Sequence, residues 1–422
     1  MTTMQHYGII CPNVPGHLNP VSGLAAELRG RGHRVSFCLL GDPPPAIVKQ
    51  GFDVLPIGGE LISAEQYRAA MAQLGVLTGK AALKHTFSLA VRGTEAMLAA
   101  GLEVIRAAGI TALIVDQGSF AGGTVADQLR IPFATVCNAL LLHGEPAVPP
   151  FFTTWPYRDA WWARLRNRLT WAGLSRLYQP ILARIQARRR ELGLSIPQRI
   201  GDTWSSRLQL CQQPAEFDFP RRELPAALHY VGPLHQAESA ATQQIAAEFP
   251  WDRLAGRPLV YASLGTLQNQ LQHVFRSILQ GLAELDVQVV LALGRRDAVW
   301  NESVPGNALV VGYAPQLALI ERASVVVTHA GLNTALETLT RGKPMVCIPV
   351  TNDQPGVAAR VAHVGAGEVL PLKKVTPARV RELVSQVSRQ PSYRAAAERL
   401  RAAIHAAGGA RRAADLVEEK LR

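Results

Sequence analysis

Between residues 312 and 355 the chain reads GYAPQLALIERASVVVTHAGLNTALETLTRGKPMVCIPVTNDQP. An apolar run, SVVVT, ends at His329-Ala-Gly331, and helical spacing begins at once with Leu332-Asn-Thr-Ala. Small residues at such a junction let the backbone approach a ligand. The first turn of a helix adds unpaired N–H groups and a dipole that favours an anion. A diphosphate suits that setting. His329 supplies an imidazole donor, Gly331 supplies room, and Asn333 and Thr334 supply side-chain donors. Glu337 follows three and four residues later on the same helical face, and its carboxylate can accept both hydroxyl hydrogens of a ribose diol. Tyr313, just past another strand, can stack on a base, with Gln316 close behind. Asp353-Gln354, past the next strand, can read sugar hydroxyls. Ser263-Leu-Gly-Thr266 ends a further strand as a small, donor-rich phosphate loop. Four such pieces at the carboxyl ends of successive strands converge on one crevice of an open α/β sheet.

At the other end of the chain, His17 stands in CPNVPGHLNP, above the apolar run Tyr7 to Cys11 and where helical spacing starts. Asn19 can cap that helix, with Pro20 at its first position. Val21, Leu24, Ala25 and Leu28 follow at helical intervals. Asp116 closes a second apolar run, Ala112 to Val115. The elements that must hold these residues alternate. Strands are expected at 34–40, 52–56, 112–116 and 133–137, with a helix at 121–129. A polar, Ala/Gln-rich stretch over 235–256 reads as an interdomain linker. Strands then recur at 259–263, 287–293, 308–311, 324–328 and 345–349, with helices at 271–284 and 332–341. Single helices between strands mean parallel, doubly wound sheets. The fold class is therefore α/β, with two Rossmann-like domains over 1–234 and 257–405. A last helix, 406–422, is placed to pack back on the first.

The bulk numbers agree with such a protein. At 422 residues, two domains are expected. Apolar residues make up 48% and charged residues 18%, which excludes a disordered chain. The net charge of +12 suits nucleic acid, anionic substrates or a membrane surface, and charge alone does not choose. Five cysteines, far apart and without a CxxC pair, read as reduced core residues of a cytoplasmic protein. The N-terminus lacks the basic and apolar regions of a signal peptide, and no run of 18 apolar residues marks a membrane span. No His, Cys, Asp or Glu cluster has metal-ligand spacing, so no metal is expected.

The stretch from Tyr313 to Gln354 resembles the donor-binding signature of family 1 glycosyltransferases, the UDP-sugar enzymes of GT-B fold. Gly16-His17-Leu18-Asn19-Pro20 resembles the N-terminal signature of their bacterial members, and the likeness covers nearly the whole chain. The stretches IVDQ (114–117), EFDFPRRELPAALHYVGPL (216–234), ASLGTLQ (262–268) and DQPGVAARV (353–361) look most like bacterial zeaxanthin glucosyltransferases, which cap carotenoid hydroxyls with glucose. The resemblance implies two facing crevices and a role for each matching residue. His329 matches the diphosphate histidine, Asn333 and Thr334 phosphate contacts, and Glu337 the ribose carboxylate. Gln316 matches a nucleoside-side contact, and Asp353 and Gln354 the pair that holds the hexose. His17 then faces the sugar carbon as general base, at an ordinary pKa near 6.5, with Asp116 on its other nitrogen. A UDP-sugar, with glucose as its sugar, is implied as co-substrate rather than resident cofactor. A hydrophobic hydroxylated acceptor is the implied partner, with no nucleic acid. Two departures stand out. Tyr313 replaces a common stacking tryptophan, and Ala330 replaces a common glycine, whose added methyl would crowd a ligand if it pointed inward.

Residues 155–190 break the alternation. They hold Trp155, Trp161, Trp162, Trp171 and nine arginines against one acid, Asp159, a net charge of +8. Helical spacing gathers Trp161, Trp162, Leu165 and Leu169 on one side. Two readings stay open: a helix packed on its own domain, and a helix lying in a lipid interface at the inner face of the membrane. Among rival functions, a dehydrogenase is disfavoured because no G-x-G-x-x-G follows the first strand. Gly79-Lys80-Ala81 is no phosphate-binding loop either. A soluble small-molecule acceptor, a UDP-sugar epimerase and a non-catalytic sugar-nucleotide sensor remain as alternatives. Intact His17 and Asp116 speak against the sensor.

Overall fold

The computed structural model describes residues 4–58, 61–234, 240–254, 256–266 and 271–422. The first domain is built on strands β1 (His6–Ile10), β2 (Arg34–Leu40), β3 (Asp53–Ile57), β4 (Ala112–Asp116), β5 (Phe133–Cys137), β6 (Gln209–Cys211) and β7 (Leu228–Tyr230). They pair in the order β3-β2-β1-β4-β5-β6-β7. The second is built on β8 (Leu259–Ser263), β9 (Gln288–Ala292), β10 (Ala308–Val311), β11 (Ala323–Thr328), β12 (Met345–Cys347) and β13 (Gly367–Val369). Their order is β10-β9-β8-β11-β12-β13. Every pairing is parallel. Strands β1, β4, β8 and β9 are buried at every residue, because helices cover both faces of a parallel sheet.

Register sets the two crevices. Ile10 pairs with Cys38 on one side and Val115 on the other, so the loop after β1 and the end of β4 finish level. Thr328 pairs with both Ser263 and Cys347, which levels the ends of β8, β11 and β12. In each sheet the central pair (β1 with β4, β8 with β11) is where strand order reverses, and a crevice opens beyond such a pair.

The helix after β1 starts earlier than its sequence suggests. It spans Pro15–Gly30, with Pro15 at its start and Pro20 inside it, so His17 lies in the first turn rather than ahead of it. Pro15 satisfies the same preference for proline at a helix start that Pro20 advertised. Pro20 has no N–H to give Gly16, one turn back. The Gly16 carbonyl instead accepts from the Asn333 side chain of the second domain, at 2.8 Å. Two further helices, Ala64–Val76 and Gly79–Ala107, fill the stretch between β3 and β4. The expected linker is partly helical. Ala240–Glu248 forms a helix, as its alanines favour, while 235–239 and 255 lie outside the described residues.

The Trp/Arg segment forms a helix over Trp161–Glu191. Its packed side carries Ala163, Leu174, Tyr178, Ile181 and Ile185. Trp161, Trp162, Leu165 and Leu169 do share one side, and it is the opposite, solvent-facing one.

Several contacts hold the domains to each other, among them the last helix and a buried ion-pair cluster. The last helix, Gly409–Lys420, follows a left-handed Gly408 and lies on the first domain. There Ala413, Ala414, Leu416 and Val417 join Val21, Leu24 and Leu28 in one core, and Arg31 pairs with Asp415 and Glu418. Deeper in, Arg360 of the helix Gln354–His363 reaches Asp218 of the first domain at 2.7 Å. Arg221 and the Tyr230 hydroxyl also reach that carboxylate, at 2.6 and 2.9 Å. Burial opposes ionisation of Asp218, but the Arg360 and Arg221 charges outweigh it and hold the carboxyl down to about 2. Replacing Asp218 by Ala leaves two buried guanidinium groups without their carboxylate, a loss of about 3–5 kcal/mol. Urea unfolding at neutral pH should show it, and a loss under about 1 kcal/mol would contradict the assignment. Because the folded pKa is depressed, the carboxylate's contribution is full above the usual carboxylate pKa. It fades as pH falls through about 2.

Candidate active site

A cavity of about 610 Å³ lies between the two domains and takes its walls from both. Every donor residue named from the sequence lines it: Ser263, Thr266, Tyr313, Gln316, His329, Gly331, Asn333, Thr334, Glu337, Asp353 and Gln354. His17 lines it from the other side, and Asp116 stands behind His17, 1% exposed.

The donor half is organised by β11 and the helix Leu332–Thr340. His329 directly follows that strand, with its ring against two glycines. A Cβ on Gly265 would lie 2.6 Å from the ring, and one on Gly331 2.5 Å from it. Burial pushes the His329 imidazole down to about 4, so it is neutral in the working range and offers one N–H. Ala330 adopts φ 62°, a left-handed backbone that costs a non-glycine residue about 1–2 kcal/mol. Its methyl is wholly buried in the core and does not line the cavity, so it crowds no ligand there. Further along the helix, Glu337 accepts from the Gln316 amide at 2.6 Å, and Gln316 accepts from the Tyr261 hydroxyl at 3.1 Å. Tyr313 is 45% exposed, with the Arg296 guanidinium 5.6 Å from its ring centre. Gln354 turns its amide oxygen to the Val350 and Thr351 N–H groups. Asp353 accepts from the Leu140 N–H at 3.0 Å, and burial pushes its carboxyl up.

Asn333 is placed differently from a simple phosphate contact. Its amide N–H donates across the cleft to the Gly16 carbonyl, and its amide oxygen accepts from Gln212 at 2.9 Å. It thus ties the donor helix to the residue next to His17.

On the acceptor side, His17 Nδ1 lies 2.8 Å from Asp116 Oδ2. The same carboxylate oxygen accepts from the Asn138 amide at 2.8 Å, and Oδ1 accepts from the Gly118 N–H at 2.7 Å. Fixed on three sides, the carboxylate places the proton on Nδ1 and leaves Nε2 on the far side of the ring as acceptor. Burial works against charge on His17, but the Asp116 charge and hydrogen bond, with Asp353 beyond, outweigh it. The imidazole is held above its ordinary 6.5. Asn138 and Gln212 escape a sequence reading. The only local cue for Asn138 is a polar residue directly after an apolar strand, the same cue that marks Asp116.

A family model described as UDP-glucoronosyl and UDP-glucosyl transferase matches residues 139–408. The chain belongs to this family. It is 30% identical to a zeaxanthin glucosyltransferase of Pantoea ananas, over 99% of this chain and 96% of that one. It is 28% identical to the zeaxanthin glucosyltransferase of Pseudescherichia vulneris, over 99% and 98%. Among solved structures, the glycotransferase of kitacinnamycin superposes over the full length of both chains with a TM-score of 0.74 at 24% identity. The enzyme is therefore a glycosyltransferase, and its two parallel-sheet domains form the GT-B fold.

The dyad has a kinetic signature. A base with a raised pKa is competent only above it, so the acid limb of kcat/KM should lie above pH 6.5. Asp116→Asn removes the charge and leaves burial to dominate. The limb should move to lower pH while the rate falls, and an unmoved limb in the variant would break the pairing.

Proposed function

We propose that the enzyme transfers glucose from UDP-glucose, with inversion, to a hydroxyl of a hydrophobic acceptor, and that the acceptor is a carotenoid such as zeaxanthin. The observation that carries this reading is one cavity with a carboxylate-backed histidine on one wall and His329, Thr334, Glu337 and Asp353 on the other, which suit a diphosphate, a ribose and a hexose. The acceptor oxygen gives its proton to His17 Nε2 as it bonds to the anomeric carbon, and the bond from that carbon to UDP breaks. Asp116 stabilises the imidazolium that forms. Negative charge builds on the departing diphosphate. It meets the N–H groups at the start of the helix Leu332–Thr340, the His329 N–H and the loop after β8. One displacement and one base mean that α-linked UDP-glucose yields a β-glucoside.

The character of the acceptor follows from the first-domain wall. Tyr67, Met71, Leu74, Phe87, Phe120 and Tyr178 line it, and among its described residues there is no Asp, Glu, Lys or Arg. Such a wall suits a large uncharged molecule with few hydroxyls. The two zeaxanthin glucosyltransferases similar over full length support the carotenoid within that class.

The reading is tested with radiolabelled UDP-glucose, zeaxanthin and a panel of flavonoids and macrolides. Zeaxanthin should be labelled, and the anomeric proton of the product should report a β-linkage. His17→Ala should lose about a hundred- to ten-thousandfold in rate while UDP affinity, measured by calorimetry, persists. An α-product or near wild-type turnover in the variant contradicts the mechanism. Label only in a soluble phenol or macrolide contradicts the acceptor. On the donor side, Glu337→Ala should weaken UDP binding by roughly 1.5–3 kcal/mol per lost charge-assisted bond. Unchanged UDP affinity would remove Glu337 from the ribose.

A further inference from the structure

The transfer chemistry leaves the outer face of the Trp/Arg segment unused. On the helix Trp161–Glu191, positions 161, 165 and 169 recur one turn apart, with 162 beside them. Trp161 is 78% exposed, Trp162 48%, Leu165 49% and Leu169 64%. The helix already has its packing side, so this stripe is not core in waiting. Large apolar groups grouped this way on an outer face mark a surface that something else covers.

Charge says what covers it. Arg168 and Arg176 are exposed on the same side, Arg158 is exposed just ahead of the helix, and among the described residues none of them is paired with a carboxylate. The nearest acid, Asp159, is spent on Arg164 and Arg222. Arg166 lies 4.1 Å from the Trp155 ring centre and 5.5 Å from that of Trp162, and so steadies both indoles. A second copy of the chain meeting this face would set arginine against arginine. A surface that offers anionic groups at its rim and hydrocarbon just beneath satisfies both halves of the stripe. We infer that the outer face of the helix Trp161–Glu191 docks on an anionic phospholipid bilayer, with Trp161, Trp162, Leu165 and Leu169 in the interface and Arg158, Arg168 and Arg176 among the headgroups.

The docking is peripheral: among the described residues, no helix is long and apolar enough to cross a membrane. It also has a use. Tyr178, nine residues past Leu169 and thus about 14 Å along the axis, forms part of the acceptor wall. Trp171 packs on Phe151 of the same cavity, with ring centres 6.2 Å apart. The helix that meets lipid therefore also walls the cavity that takes the acceptor, which rests on the acceptor reading above. An acceptor dissolved in the bilayer then reaches His17 while UDP-sugar arrives from water.

The test is co-sedimentation of the full chain with vesicles of phosphatidylcholine alone and of phosphatidylcholine with phosphatidylglycerol in equal parts. The protein should pellet with the anionic vesicles at low salt and be released at high salt. Trp161→Ser with Trp162→Ser, and separately Arg168→Glu with Arg176→Glu, should each weaken partitioning by about tenfold or more. Both variants should transfer glucose normally to a water-soluble hydroxylated acceptor, which shows that they fold. Equal recovery in the supernatant with and without anionic vesicles overturns the inference, as does undiminished pelleting of both variants. A concentration-dependent dimer that the tryptophan variant abolishes assigns the stripe to a second copy and overturns it too. Pelleting without transfer to zeaxanthin would contradict only the acceptor reading, and transfer without pelleting only the docking.

Discussion

The hydrogen bond between His17 Nδ1 and Asp116 Oδ2 joins two residues 99 positions apart in the chain. Nothing local makes it. It forms because β1 and β4 are neighbours at the reversal of strand order and finish level with each other. Continuous apolar strands buried on both faces make that adjacency stable. The helix that starts at Pro15 then sets His17 over the strand end. Asn138, following β5, and the Gly118 N–H complete the support of the carboxylate. The chemistry thus depends on sheet topology before it depends on any single side chain.

In the proposed transfer, a base on one domain is useful only if the sugar carbon on the other is held at a fixed place. Two cross-domain devices serve that end. The Asp218 carboxylate, shared by Arg360 and Arg221, is almost fully buried. A buried pair of this kind adds little net stability over a well-packed apolar substitute. It does penalise every arrangement that separates its members. The Asn333 bridge to Gly16 and Gln212 is smaller and closer to the reaction. It exists because Pro20 leaves a helical carbonyl unpaired, so a residue that looks like a helix signal acts as a means of joining domains.

Much of this was legible in the sequence, for physical reasons. Strands covered on both faces read as unbroken apolar runs, and the residues that end them mark the crevices. The loop and helix start at 329–334 that line the cavity were legible because glycine, histidine and a helix start fall together there. Other parts were not. The start of the first helix was misplaced because Asn19-Pro20 imitates a cap as well as Pro15 does. Asn138 and Gln212 act through partners remote in sequence, which no local pattern encodes. Periodicity gathered Trp161, Leu165 and Leu169 on one side. Only packing, which turns Ala163, Leu174 and Ile181 to the core, decided that this side faces out.

The central claim is that His17 is held by Asp116 as a base with its proton on Nδ1 and its Nε2 open to the acceptor. Nitrogen-15 NMR of the imidazole, recorded as a pH titration on the enzyme without substrates, reads the tautomer and the pKa together. The account predicts the Nδ1–H tautomer with a pKa above 6.5, and a lower pKa in Asp116→Asn. An Nε2–H tautomer, or a titration that Asp116→Asn leaves unchanged, would contradict it.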